Sequence, residues 1–419
     1  MTPEGAGGDD ALSAALERAT RSALTQSLEA LYARVPLGMR LGLDAMRAAC
    51  TRARNPEQAF AVAHVAGTNG KGSTCAMIES MARAAGRKTG LYTSPHLCRF
   101  AERIRIDGEP LSDEALGDVL DRALAIGPDL SFFETATLAA FLAFRDHGVD
   151  LAVVEVGIGG RLDATNVVPP PKVAAITRVA LDHMDRLGGT LEEIAREKAG
   201  IAKEGSTFVL GPMTESVRAA ALEVALAAGA LPILLGDDPD AVAAPDGKHA
   251  PYQQDNARIA MRVARELAIP EAARREGLAR ATWPGRFEEI ESEGHRFILD
   301  GAHNPDGARA LIQALSIDEA PGAVVFGALA DKAWREMLDV LAALPCPRIY
   351  VAPRGRAATD PAELARHAPG TVAPSLAEAL REARARAEGG PIVVCGSLYL
   401  VGQARAALLG LPEDPPVAL

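Results

Sequence analysis

"HVAGTNGKGST", residues 64–74, sets three glycines and one lysine behind an apolar run and ahead of a stretch with helical character. In the ordinary phosphate-loop pattern a glycine stands five positions before the glycine that precedes the lysine, and a hydroxyl residue follows the lysine. Counting back from Gly70 reaches Val65, and Gly72 occupies the hydroxyl position. The physics survives the change of spacing. Residues 60–66 (FAVAHVA) read as a buried strand and residues 74–85 as an amphipathic helix. Glycines between them can turn backbone N–H groups toward an anion at the positive end of that helix. Lys71 then lies beside the terminal phosphates, with Ser73 capping the helix or facing a metal ion. The bland alternative is a strand-to-helix turn carrying one surface lysine. Three glycines, Asn69 and Lys71 within six residues weigh against it.

Outward from this loop, strand-like runs alternate with helical stretches: 88–93, 150–156 (DLAVVEV), 172–178 (KVAAITR) and 206–210. That rhythm predicts a doubly wound, mostly parallel sheet. A helix is expected over 254–268, and "ATWPGRFEEI" (281–290) then breaks the pattern at Pro284 and Gly285. We place a boundary there, giving domains 1–281 and 282–419. The second is a smaller Rossmann-like α/β series with strands FILD (297–300), VVFG (324–327), IYVA (349–352) and IVVC (392–395), and a helix from about Pro305. The Ala/Arg-rich run 376–388 reads as a solvated helix. A chain of 419 residues exceeds the size at which one core usually stops growing, which agrees with two domains.

Composition narrows the function classes. The 44 basic and 55 acidic residues give a formal charge of −11, and aromatic residues are 4% of the chain, so neither a basic field nor a stacking platform for nucleic acid is present. A phosphate ligand must be held by local charge. The five cysteines are widely spaced without a CxxC pair, which suits reduced thiols. The start, MTPEGAGGDDALSAA, has no signal-peptide pattern and reads as a short frayed segment, and no apolar run approaches membrane-spanning length. The expectation is a cytoplasmic monomer that binds neither nucleic acid nor membrane.

Two more strand ends carry chemistry. "LAVVEVGIGGRLDATNVV" (151–168) delivers Glu155 at the carboxyl end of an apolar strand, where open α/β sheets bind ligands. A carboxylate beside Val153 and Val154 is costly unless paired or metal-bound; a solvated strand-end glutamate is the plainer reading. The segment 173–205 offers Asp182 and His183, and His183 taken alone would pass as a satisfied surface histidine. Magnesium usually keeps several waters, takes one or two protein oxygens and bridges substrate phosphates. Glu155, a hydroxyl and a histidine therefore make a sparse but adequate site.

Taken in order, "GTNGKGS" (67–73), "LYTSPHL" (91–97), "ERIRIDG" (102–108), "FFE" (132–134), "EVGIGGRLDATN" (155–166), "LDHMDRLG" (181–188), "EKAGI" (197–201), "WPGRFE" (283–288) and "DGAHNP" (300–305) make the chain resemble the folylpolyglutamate synthase and dihydrofolate synthase family of the Mur ligase superfamily. The resemblance implies an ATP-dependent ligase that joins L-glutamate to dihydropteroate or folate through an acyl phosphate. It implies ATP at Thr68, Asn69, Gly70, Lys71, Gly72, Ser73, Asn256, Arg286 and Asp300, and magnesium at Ser94, Glu155 and His183, so that Ser73 becomes a phosphate contact. The pterin is expected near Phe132, Phe133, Glu134, Leu162, Asp163 and Ala164, and glutamate near His303 and Ser397. Two tandem phenylalanines serve equally as ordinary core. Lys198 reads locally as a helix-surface ion pair with Glu197, whereas in relatives the lysine of "EKAGI" can be carbamylated, adding a carboxylate that helps hold a second magnesium. Lys71, Glu155, His183 and Lys198 are thus the expected catalytic set. A Mur-type ligase acting on another carboxylate, a non-ligase ATPase and a noncatalytic nucleotide module are the competing readings, and the motifs are common to both family activities.

Overall fold

The computed structural model describes residues 23–35, 42–235, 251–318, 320–355 and 357–414, so the N-terminal stretch read as frayed lies outside the described residues. Two sheets organise the chain. The first contains β1 (Ala61–Ala66), β2 (Thr89–Tyr92), β3 (Ile104–Ile106), β4 (Glu109–Pro110), β5 (Leu151–Glu155), β6 (Val173–Ile176), β7 (Thr207–Leu210) and β8 (Leu231–Leu234), in the spatial order 4-3-2-5-1-6-7-8. Every pairing from β2 to β8 is parallel, and β3 and β4 add an antiparallel edge. The central strands β1 and β5 are apolar along almost their whole length because helices cover both sheet faces. Successive connections leave β1 and β5 toward opposite sides of the sheet, opening a crevice at their carboxyl ends.

The second sheet contains β9 (Arg286–Ser292), β10 (His295–Asp300), β11 (Ala323–Phe326), β12 (Arg348–Tyr350), β13 (Thr371–Val372) and β14 (Ile392–Cys395), ordered 13-12-11-14-10-9. It is parallel except for the β9–β10 hairpin. This is a two-sheet α/β architecture of the expected class. The apolar runs predicted the central strands to within two residues. β3, β4, β8, β9 and β13 went unseen because they are short, partly solvent-facing or charged, as in "RFEEIES" of β9.

Two helix expectations are corrected. The helix after the glycine loop spans Lys71–Ala84, beginning at Lys71 rather than 74. Its residues Ser73 through Ala82 are all buried, so it is not amphipathic. Helix Pro251–Glu266 packs beside it and also reaches β6 and β7, and helix Glu271–Arg280 packs against it as well. Gly277 makes the closeness possible: a Cβ there would lie 2.3 Å from Met81 Cα. Ser80 Oγ also donates to Gly277 O at 2.7 Å. Further along, Trp283 packs on Gly72, whose added Cβ would meet the indole nitrogen at 2.9 Å. The Ala/Arg-rich helix, Leu376–Arg386, is not solvated all round. It buries Ala379, Leu380 and Ala383 against the second sheet.

The layers around the two sheets also touch. Helix Leu398–Leu409 of the second sheet's layer packs on Leu97, where Gly402 leaves room for the Leu97 carbonyl. Among the described residues no helix is long and apolar enough to cross a membrane.

Candidate active site

Every candidate site residue named above lines one cavity of about 490 Å³ between the carboxyl ends of the two sheets. Its floor is the glycine loop. Gly67 (φ 152°) and Gly70 (φ 87°) hold backbone conformations that disfavour side chains, and a Cβ would meet Thr177 Oγ1 at 1.9 Å or Asn256 Oδ1 at 2.1 Å. Gly70 is the helix N-cap and supplies no side-chain cap, so the first-turn N–H groups remain for a ligand. Ser73 therefore does not cap the helix, because it lies inside the first turn, buried.

Lys71 Nζ donates to Thr68 O at 3.2 Å and stands 4.0 Å from Glu155 Oε1. Glu155 is buried, and its other oxygen accepts from Ser94 N at 3.0 Å. Burial pushes its carboxyl up, against the pull of Lys71, the Ser94 N–H, Arg286 and Arg103, and burial wins. A carboxylate left under-compensated in this way suits a divalent cation. Ser94 and His183 line the same cavity, so the donor set fits magnesium as a sparse site. Among the described residues no three His, Cys, Asp or Glu side chains converge on one ion position, which leaves substrate oxygens and water to complete the shell.

Lys198 is not a surface ion-pair residue. It is 3% exposed, and its Nζ donates to Gly67 O at 2.9 Å while Glu197 turns outward to Arg161. Burial, aided by Lys71, pulls its amine down to about 7. Lys198 thus braces the glycine loop from beneath as a partly neutral amine.

On the second-sheet side, Asp300 ends β10 as a buried carboxylate that accepts from Tyr252 Oη (2.6 Å), Phe287 N (2.9 Å) and Ala302 N (2.9 Å). Burial nevertheless raises its carboxyl. Arg286 occupies the space beside Gly301, and Asn256 lies against Gly70. Across the cavity, Asp182 joins the two halves: Lys332 Nζ donates to it at 2.9 Å, and His303 Nε2 and His183 Nε2 each lie 3.8 Å away. Burial would raise the Asp182 carboxyl, but Lys332 and the two imidazoles outweigh it and hold it at about 2. His303 is pulled down to about 4 by burial and Lys332, so it is neutral at pH 7. Burial also lowers His183, with Asp182 opposing.

The aromatic wall is built as core. Phe132 stacks on Tyr32 (5.5 Å, 16°) and meets Phe100 edge-on, with the Arg103 guanidinium 5.3 Å from both the Phe100 and Phe132 rings; Phe133 leans on Tyr92. Three expected substrate contacts already have local partners. Glu134 Oε2 closes a capping box with Ser131 N (2.8 Å) and Ser131 Oγ (2.7 Å). Asp163 accepts from Gly157 N, Ile158 N, Thr165 N and Thr165 Oγ1, which shapes the loop after β5. Ser397 caps helix Leu398–Leu409 through Tyr399 N at 3.2 Å. Sequence reasoning missed Lys332, Tyr252 and Asp306 as cavity residues. Lys332 follows the carboxyl end of β11, so the strand-end rule applied to the second sheet would have found it.

The Mur ligase middle domain matches residues 65–224, and the Mur ligase glutamate ligase domain matches residues 285–398. The chain is 37% identical over 396 residues to folylpolyglutamate synthase of Lacticaseibacillus casei, covering 85% of this chain and 92% of that protein. Among solved structures, Mycobacterium tuberculosis folylpolyglutamate synthase complexed with ADP superposes with a TM-score of 0.84 at 30% identity, over 93% of this chain and 99% of that one. A bifunctional folylpolyglutamate synthase/dihydrofolate synthase with Mn, AMPPNP and L-glutamate bound gives 0.78 at 33% identity, over 89% and 95%. With this coverage and with the glycine loop, Glu155 and the β10 turn facing one cavity, the chain belongs to the folylpolyglutamate synthase and dihydrofolate synthase family of Mur ligases.

Proposed function

We propose that this chain joins L-glutamate to dihydropteroate, to a folate, or to both, at the expense of ATP. The observation that carries the reading is the shared cavity. An uncapped helix N-terminus with Lys71 and Glu155 faces a second-sheet wall that presents Lys332 and a neutral His303. A carboxylate is a poor electrophile, so its oxygen first attacks the γ-phosphorus, releasing ADP and giving an acyl phosphate. The glutamate amine then displaces phosphate and loses a proton. Lys71 neutralises charge on the transferring phosphoryl group. Glu155 with Ser94 and His183 would hold magnesium, which would supply further positive charge at the phosphates.

In this reading the segment up to 281 holds ATP and the pterin, and 282–419 presents glutamate. Lys332 is the cation for a glutamate carboxylate, since His303 is uncharged at neutral pH. Asn256, Arg286 and Asp300 frame the nucleoside, and Phe132, Phe133 and the Leu162–Ala164 loop wall the pterin. As its neutral amine Lys198 would react with carbon dioxide and lose a proton to give a carbamate, whose negative charge would favour a bound cation. The working form is a monomer in the cytoplasm, and sedimentation near the chain mass of 43.8 kDa would show the monomer. The test of function is phosphate release with ATP and magnesium. It should require dihydropteroate or a folate together with glutamate. Release indifferent to glutamate would instead mark a plain ATPase.

A further inference from the structure

We propose that Asn304 and Asp306 are positioning residues that grip the glycine loop by its tip, fixing the ATP side and the amino-acid side in register as one unit. The inference rests on the ligase reading and adds to it a device for coupling. Asn69 and Asn304 form a reciprocal amide pair, with Asn69 Nδ2 donating to Asn304 Oδ1 at 3.3 Å and Asn304 Nδ2 donating to Asn69 Oδ1 at 3.0 Å. Asn69 Nδ2 also donates to Asp306 Oδ2 at 2.9 Å. Asp306 is in turn held by Arg178, Nε to Oδ2, at 2.9 Å.

The opposite flank of the loop is fixed by the strand end of β6. Thr177 Oγ1 donates to Asn69 O at 2.7 Å, and Thr68 N donates to Arg178 O at 2.6 Å. The loop tip is thus held from one side by its own sheet and from the other by the turn that carries His303. Asn304 is 3% exposed, so its amide is withdrawn from water and losing its partner is costly. Asn69 immediately precedes Gly70, the helix N-cap, so a shift of its side chain is passed to the first-turn N–H groups that receive phosphate. With the grip released, the loop cradles ATP less firmly and the γ-phosphorus opens to water before the amine is in place.

Asn304→Asp tests this with little disturbance of the turn, because the remaining oxygen still receives Gly307 N–H, a 2.8 Å bond in the native chain. We expect AMPPNP affinity to fall about tenfold and kcat to fall by a similar factor. Phosphate released per amide bond formed should climb from about one to two or more. Asn304→Ala should cost little more in an Asn69→Ala background, because the amide pair they share is already broken there, while each single variant also gives up its own second bond, Asn69 to Asp306 and Asn304 from Gly307 N. Unchanged AMPPNP affinity in Asn304→Asp, a ratio that stays at one, or losses that multiply in the double variant would overturn the grip. AMPPNP binding needs no turnover, so it reads the grip even if wild-type phosphate release proves independent of glutamate, a result that would sink the ligase reading alone.

Discussion

Lys71→Met removes the cation nearest Glu155 while keeping most of the side-chain volume. At the observed 4.0 Å, an interaction between unit charges is worth about 4 kcal/mol at the effective dielectric that suits partly buried pairs. The same charge placed beside phosphoryl oxygens is worth a similar amount. Since about 1.4 kcal/mol is one decade in rate, its loss corresponds to about three decades. Arg286 and Arg103 also act on Glu155 and supply part of the field, so a fall in kcat of about 10² to 10³ is expected. The fold should survive, because Lys71 makes only one hydrogen bond among the described residues, to Thr68 O, and Glu155 can take up a proton when its cation is gone. The assay is phosphate release at saturating ATP, dihydropteroate and glutamate, beside a thermal melt. Combining Lys71→Met with Glu155→Gln should cost less than the product of the two single effects, because the partners are coupled. A variant that melts like wild type and retains more than about a tenth of its rate would refute the assignment of Lys71 to the phosphates.

Glu155→Gln should displace the magnesium titration to higher concentration while leaving pterin affinity within about twofold, because the amide keeps shape but loses charge; superimposable titrations would remove Glu155 from the metal site. Lys332→Met should raise KM for glutamate about a hundredfold with little change in KM for ATP, since a charge-assisted contact of about 3 kcal/mol disappears; an unchanged glutamate KM would send Lys332 back to a purely structural pairing with Asp182. Lys198→Ala should be slow and partly rescued by short carboxylic acids but not by alkylamines; rescue by amines alone would favour a cationic role. The same lysine has a pH signature. Its amine is held near 7 in the fold against an ordinary 10.5, so between those values the unfolded chain binds the extra proton and stability rises with pH. Below 7 the full burial penalty remains. Lys198→Met should flatten that rise in a series of denaturant melts from pH 7 to 10, and a slope identical to wild type would show that Lys198 is not the titrating group.

The glycine loop and the central strands were legible because each is written locally. Buried parallel strands are apolar runs, and loops that approach phosphate need glycine where φ is positive, as at Gly67 and Gly70. The depth of Lys198 was not legible. Its neighbours Glu197 and Arg196 are those of a surface helix, and only tertiary placement over Gly67 O separates it from them. The same holds for Glu134, which a pterin-facing motif and a capping box both explain with the same spacing. For Lys332, in "ADKAW", the strand-end rule marks the position after β11, but its partner Asp182, 150 residues earlier in the chain, is supplied by tertiary structure alone. The buried, even-sided character of the Lys71 helix was hidden because the helices that cover it come from residues 251–280.

The link between the sheets is anchored at two points on that helix, by Gly277 against Met81 and by Trp283 against Gly72. Only Pro284 and Gly285 then separate the second anchor from the start of β9. A rotation of the second sheet about this link would have its pivot beside the first turn of the Lys71 helix. Displacement under rotation grows with distance from the axis. The phosphate end of the cleft is therefore the short end of a lever, where a given angle moves atoms least, while the outer edge at β13 sweeps the longest arc. Such a placement would keep the atoms that must meet γ-phosphorus close to their working positions under a rotation of that kind.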